Sequence, residues 1–114
     1  MIEEIIGNYL MYELNQDVYF ERPETPPTTY IVVEKTGSEL RNHIYSATIA
    51  IQAYANSMYE ASSLNESVKE VMINIVTLDD IGGVRLNSDY NFTDTSTKQY
   101  RYQSVWQINL LGGI

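Results

Sequence analysis

Ala61, Leu64, Val68, Val71, Ile75 and Leu78 recur at intervals of three and four. That spacing predicts one amphipathic helix over residues 57–78. Its start carries a capping box, Ser57-Met58-Tyr59-Glu60, in which the serine oxygen accepts from the N–H three residues on and the glutamate reaches back. Asp79-Asp80 and Gly82-Gly83 end it as turns. A helix with one apolar stripe must bury that stripe against another element, and here the segments on both sides alternate with a period of two. Residues 42–54 set Tyr45, Ala47, Ile49, Ile51 and Ala53 on one face and the even-numbered positions from 46 to 54 on the other. The small residues on both faces suit a central strand with a helix packed closely on it. Residues 84–92 and 100–110 alternate as well and are joined by the polar loop 93–99. They read as a β-hairpin with one buried face and one face rich in tyrosines and amides.

The rest of the chain fits the same plan. Ile2, Ile6, Tyr9 or Leu10, and Leu14 predict a short helix over residues 2–14, with Glu3 and Glu4 at the positive end of its dipole. Asn15-Gln16-Asp17 breaks it, and residues 18–21 are a short strand candidate. All three prolines fall in residues 22–27, which predicts a stiff loop, because proline lacks a donor and restricts the residue before it. Residues 28–35 are rich in β-branched and aromatic side chains and predict a strand. Lys35-Thr36-Gly37-Ser38 predicts a turn, with glycine supplying a positive φ. Gly112-Gly113 is expected to free the tail. The expected fold class is α+β: a mixed, mainly antiparallel sheet of four to five strands with two helices packed against it, in one domain over residues 1–114. Strand 42–54, helix 57–78 and strand 84–92 form a crossover, right-handed if the two strands are parallel.

Composition narrows the function classes. Fifteen acids against seven bases give a formal charge of −8, which argues against tight, sequence-independent binding to phosphate. The acids are scattered, so they do not form an acidic tail. Without cysteine there is no disulfide or thiolate chemistry. The N-terminus has acids where a signal peptide needs bases, and no apolar run is long enough for a membrane span. A soluble protein made in the cytoplasm is the expectation. The sequons at Asn65 and Asn91 then count as chance matches.

His43, the only histidine, has no recognisable nucleophile motif to serve, and is expected at the surface or at a strand start. A zinc site lacks its ligands. Asp89-x-Asn91-x-Thr93-Asp94 echoes the start of a calcium loop, but Asp94 stands where the glycine belongs and Tyr100 where the closing acid belongs. No catalytic residue, cofactor or bound metal is therefore expected. Ten tyrosines are the more informative anomaly. Tyr90, Tyr100 and Tyr102 cluster on the hairpin near Trp106, and such side chains serve both sheet cores and protein interfaces. Base stacking with single-stranded nucleic acid wants a basic groove, and only Arg85, Lys98 and Arg101 lie nearby.

Four segments taken together carry a resemblance. They are Tyr30-Ile31-Val32-Val33-Glu34-Lys35-Thr36-Gly37-Ser38, Ala47-Thr48-Ile49-Ala50-Ile51-Gln52-Ala53-Tyr54-Ala55-Asn56-Ser57, Asn87-Ser88-Asp89-Tyr90-Asn91-Phe92-Thr93-Asp94, and Tyr100-Arg101-Tyr102-Gln103. The chain resembles the tail-completion, or tail-terminator, proteins encoded in head–tail gene clusters of long-tailed phages and prophages. The resemblance spans most of the chain and rests on structural motifs rather than catalytic ones. It implies a non-enzymatic virion-assembly protein. It also implies a homo-oligomeric ring, typically a hexamer, that caps the tail tube in the neck and meets the head connector or stopper. DNA would pass through without being tightly held. Contacts to neighbours are expected on exposed strand edges and on hairpin 84–110, with Tyr90, Tyr100, Arg101 and Tyr102 as candidate interface residues. Two alternatives stand beside this: a small peptide- or ligand-binding module, and a small hydrolase or isomerase.

Overall fold

A computed structural model describes residues 1–111. Its elements are α1 (Ile2–Leu14), β1 (Val18–Tyr19), β2 (Tyr30–Arg41), β3 (Ile44–Ala55), α2 (Met58–Ile73) with a 3-10 turn (Asn74–Thr77), β4 (Ile81–Asn91) and β5 (Tyr100–Leu110). The strands form one sheet in the order β1-β2-β3-β5-β4. β1 runs parallel to β2, and every other neighbouring pair is antiparallel. The fold is thus the expected α+β class, a mixed and mostly antiparallel sheet with two helices. β3 and β4 both run against β5, so they are parallel to each other, and α2 connects them across the strand that lies between. The expectation for Gly112-Gly113 concerns residues outside the described range. No described helix is long and apolar enough to cross a membrane.

Alternation decides which residues reach the core. Ala47, Ile49, Ile51 and Ala53 of β3 pair with Ile108, Trp106, Ser104 and Tyr102 of β5 and face the helices. Ile31 and Val33 of β2 join them from the other side. From above, Ile2, Ile6 and Leu10 of α1 and Leu64, Val68 and Met72 of α2 close the layer. Trp106 is 1% exposed, and its indole N–H donates to the Ser104 hydroxyl at 2.8 Å, so the ring is buried without an orphaned donor. Tyr9 ties the helices together by donating its hydroxyl to the Val71 carbonyl at 2.6 Å. Burial first, then the nearby Glu13 carboxylate, raises the pKa of that hydroxyl above the usual phenol value.

The ends of the elements follow local chemistry, with three corrections. The Ser57 cap forms as expected: its Oγ accepts the backbone N–H of Glu60 at 3.1 Å. The α-helix behind it stops at Ile73, however, and the last turn tightens to 3-10. Ile73, Ile75, Val76 and Thr77 are β-branched, and their stiff χ1 angles crowd an α-helical turn. Ile75 stays fully buried in the tightened turn, and in the α-helix before it Met72 is buried and Val71 only partly so.

The second correction is at residues 35–38. The strand continues to Arg41, and Thr36 is the extra residue of a β-bulge between Lys35 and Gly37. Gly37 does not use the left-handed region. The reversal falls instead at Asn42 and His43, with φ of 52° and 65°, the two-residue geometry whose twist matches the flanking strands. Third, Gly82 and Gly83 lie inside β4 rather than in a turn. A Cβ on Gly82 would sit 2.9 Å from a Leu111 methyl, and one on Gly83 3.2 Å from the Asn109 amide, so these glycines permit close approach. The turn itself is at Asp79-Asp80, where the Ile81 N–H donates to the Leu78 carbonyl at 3.1 Å.

Candidate protein-interaction surfaces

The side of the sheet away from the helices carries a row of π contacts that crosses all five strands. Tyr19 meets Tyr30 edge-on at 5.9 Å, and Tyr30 stacks on Tyr54 at 4.4 Å. Arg101 lies over Tyr54 at 5.6 Å and over Phe92 at 4.4 Å, and Tyr90 meets Phe92 edge-on at 5.9 Å. A hydrogen-bonded chain runs beneath. Arg101 Nη1 donates to the Tyr54 hydroxyl at 3.0 Å, Tyr54 donates to Gln52 at 3.5 Å, Gln52 donates to Gln103 at 2.7 Å, and Gln103 donates to the Tyr90 hydroxyl. Burial is the main cause that raises the Tyr30 phenol pKa, and a hydrogen bond from Arg22 works against it. These groups satisfy one another, so the row braces the sheet instead of holding polar groups ready for a ligand.

Strand parity divides the four candidate interface residues. Tyr90 and Arg101 lie on this outer face. Tyr100 and Tyr102 pair with Ala55 and Ala53 and point to the helix side, where they are half-buried. Arg101 is committed within the chain: besides its ring contacts, Nε donates to the Phe92 carbonyl at 2.7 Å. Tyr90, 42% exposed, is the most open of the four.

The strand edges are less inviting than an unpaired edge would be. β1 covers β2 only at Ile31 and Val32, and β2 then bulges at Lys35/Gly37. The outer edge of β4 bulges twice, at Ile81/Gly83 and at Leu86/Ser88. Bulges interrupt the ladder a partner strand would have to match, a common protection against edge-to-edge pairing.

Exposed apolar side chains mark several other places, two of them at the sheet. One is the β2–β3 tip, where Leu40 is 55% and Ile44 53% exposed, with Tyr45 beside them. The other is a groove of about 380 Å³ between α2 and β4, with Trp106 at its base, Ile73, Val84 and Leu86 on its walls, and Glu66 and Glu70 on its rim. Lys69 crosses one end, held by Glu66 at 2.9 Å and by Asp89 at 3.3 Å. Those hydrogen bonds, Glu66's first, raise the lysine pKa. Asn65, buried one turn earlier, donates to the same Asp89 oxygen at 3.3 Å. Sequence reasoning missed this clamp. Its one available signal was Asn65 and Lys69, four apart on one helix face.

The remaining candidates do not converge. His43 sits exposed in the two-residue turn. Asp89 is held by α2, Asn91 accepts from the Thr93 N–H at 3.0 Å, and Asp94 accepts from the Ser96 hydroxyl at 2.7 Å. Among the described residues no group of three or more His, Cys, Asp or Glu side chains is placed to share a metal ion. Against known proteins, the chain matches no family model, and no curated protein matches its sequence.

Proposed function

We propose that this chain is a non-enzymatic structural protein of phage neck and tail assembly. In this reading it forms a ring of identical subunits, six being the number the resemblance implies, that caps the tail tube and joins it to the head connector. The observation that carries a role in assembly is the pair of unlike apolar surfaces left open on one small chain, the β2–β3 tip and the α2–β4 groove. Contiguous exposed apolar surface on a soluble domain marks a contact site. The four segments quoted above direct that role to the tail-completion proteins. Charge is in keeping with a conduit: α1 and α2 carry Glu3, Glu4, Glu13, Glu60, Glu66 and Glu70 against the single base Lys69. Phosphate passing such a layer is repelled rather than held.

The test is genetic. Deleting the gene from its phage or prophage is expected to give tails of irregular length and heads that stay unjoined, seen by electron microscopy. Normal tails and normal joining would refute the assignment. The groove also favours a second reading, a small-ligand module, since its volume falls at the low end for such sites. That reading predicts a normal deletion phenotype in tails and saturable binding by the isolated monomer.

A further inference from the structure

We infer that the α2–β4 groove receives the β2–β3 hairpin tip of a second copy of this chain. The tip presents Ile44 beside its cross-strand partner Arg41 on one face and Leu40 beside Tyr45 on the other; the Arg41 side chain is 78% exposed and only loosely paired with Glu39 at 3.8 Å. The groove offers the complement: apolar walls of Ile73, Val84 and Leu86 under the acidic rim of Glu66 and Glu70. Lys69 already answers Glu66, which leaves Glu70 as the partner for an incoming cation. Lys69 is held in the clamp and Arg101 in its ring contacts, whereas Arg41 projects at the tip with Ile44 beside it.

The tip cannot enter the groove of its own chain. β2 lies three strands from β4, about 14 Å across the sheet. Tyr45 is also held in register with both Leu40 and Leu110. The occupant must therefore be another molecule, and the contact joins two different surfaces. Such heterologous contacts propagate and close into a ring when the rotation allows. The two-residue turn at Asn42 and His43 presents the tip in one fixed shape, which lowers the ordering cost of docking.

This inference rests on the assembly reading above, and introduced thiols test it, because the chain has no cysteine of its own. Leu40→Cys chains are mixed with Leu86→Cys chains at about 1 mM, a concentration that populates contacts with dissociation constants of that order. Mild oxidation is expected to give a disulfide dimer between the unlike variants, while each variant oxidised alone stays monomeric. A chain carrying both substitutions gives a ladder of higher oligomers. Arg41→Glu on the tip-thiol chain, or Glu70→Arg on the groove-thiol chain, lowers the yield severalfold, and combining the two restores it. Both positions are on the surface, so the fold survives, as circular dichroism can verify. Absence of the unlike dimer overturns the proposal, and so does a like dimer of either variant in comparable yield or an unchanged yield after both charge reversals. The two readings fail separately: cross-linking reports the contact without tails, and the gene deletion reports the role without the contact.

Discussion

Arg101→Ala tests whether the outer-face row is a brace. The substitution removes two hydrogen bonds, to the Phe92 carbonyl at 2.7 Å and to the Tyr54 hydroxyl at 3.0 Å. It also removes ring contacts at 4.4 and 5.6 Å. Each hydrogen bond contributes about 0.5–1.5 kcal/mol net, and each cation–π contact at a part-exposed site about 0.5–1 kcal/mol. These terms share one side chain and do not add in full, so the expected loss is about 2 kcal/mol. In a domain of this size that lowers Tm by about 8 °C. Urea unfolding followed by fluorescence of the single, buried Trp106 should show a lower midpoint with an unchanged slope. Arg101→Lys keeps the charge but not the planar fork, and should recover less than half. A loss under about 0.5 kcal/mol for Arg101→Ala, or full stability for Arg101→Lys, would refute the brace.

Val68, fully buried, should lose at least about 3 kcal/mol of stability as Val68→Asp, measured by chemical denaturation. Met72→Ala should cost about 2–4 kcal/mol and Val71→Ala less than half of that, because the structure buries the former more deeply; the reverse order would refute the helix phase. Ser57→Ala should cost about 1 kcal/mol, seen as a lower Tm. The Lys69 pKa is raised in the folded chain, so its clamp contributes fully below the unfolded value of about 10.5 and is lost as pH rises through the folded one. The stability gap between the native chain and Lys69→Met should therefore be flat from neutral pH to about 9 and narrow above about 10.5.

Periodicity and capping made much of this fold legible. The stripe from Ala61 to Leu78 and the Ser57 box located α2, and alternation in residues 100–110 located β5. What the sequence obscured was the use of glycine and the reach of one strand. Gly37, Gly82 and Gly83 read as turns because glycine permits positive φ, yet they serve a bulge and two close approaches. Asn42, a residue type that tolerates the left-handed region, and His43 hold the positive φ instead. The division of the candidate interface residues between two faces was hidden for a related reason. Tyr90, Tyr100, Arg101 and Tyr102 are neighbours in the hairpin, but a change of one residue in parity sends a side chain through the sheet to the opposite face. The Asn65–Lys69–Asp89 clamp joins residues twenty or more positions apart, and the groove brings α2 against β4 and β5, which local pattern does not relate.

The seam between β3 and β5 has a kinetic consequence. The β2–β3 and β4–β5 hairpins pair residues that are close in sequence, whereas the seam's eleven register pairs join residues 45–55 to residues 100–110. Local hairpins and α2 can form in microseconds, but the seam must first close a loop that contains all of α2 and β4. Folding should therefore be limited by this one non-local step. Until it is complete, Ile49 and Trp106 have their hairpin partners on one side but lack each other on the other. At high concentration, a neighbouring chain's β5 could complete that seam as well as the chain's own, so the interval before closure is when chains are most prone to exchange strands.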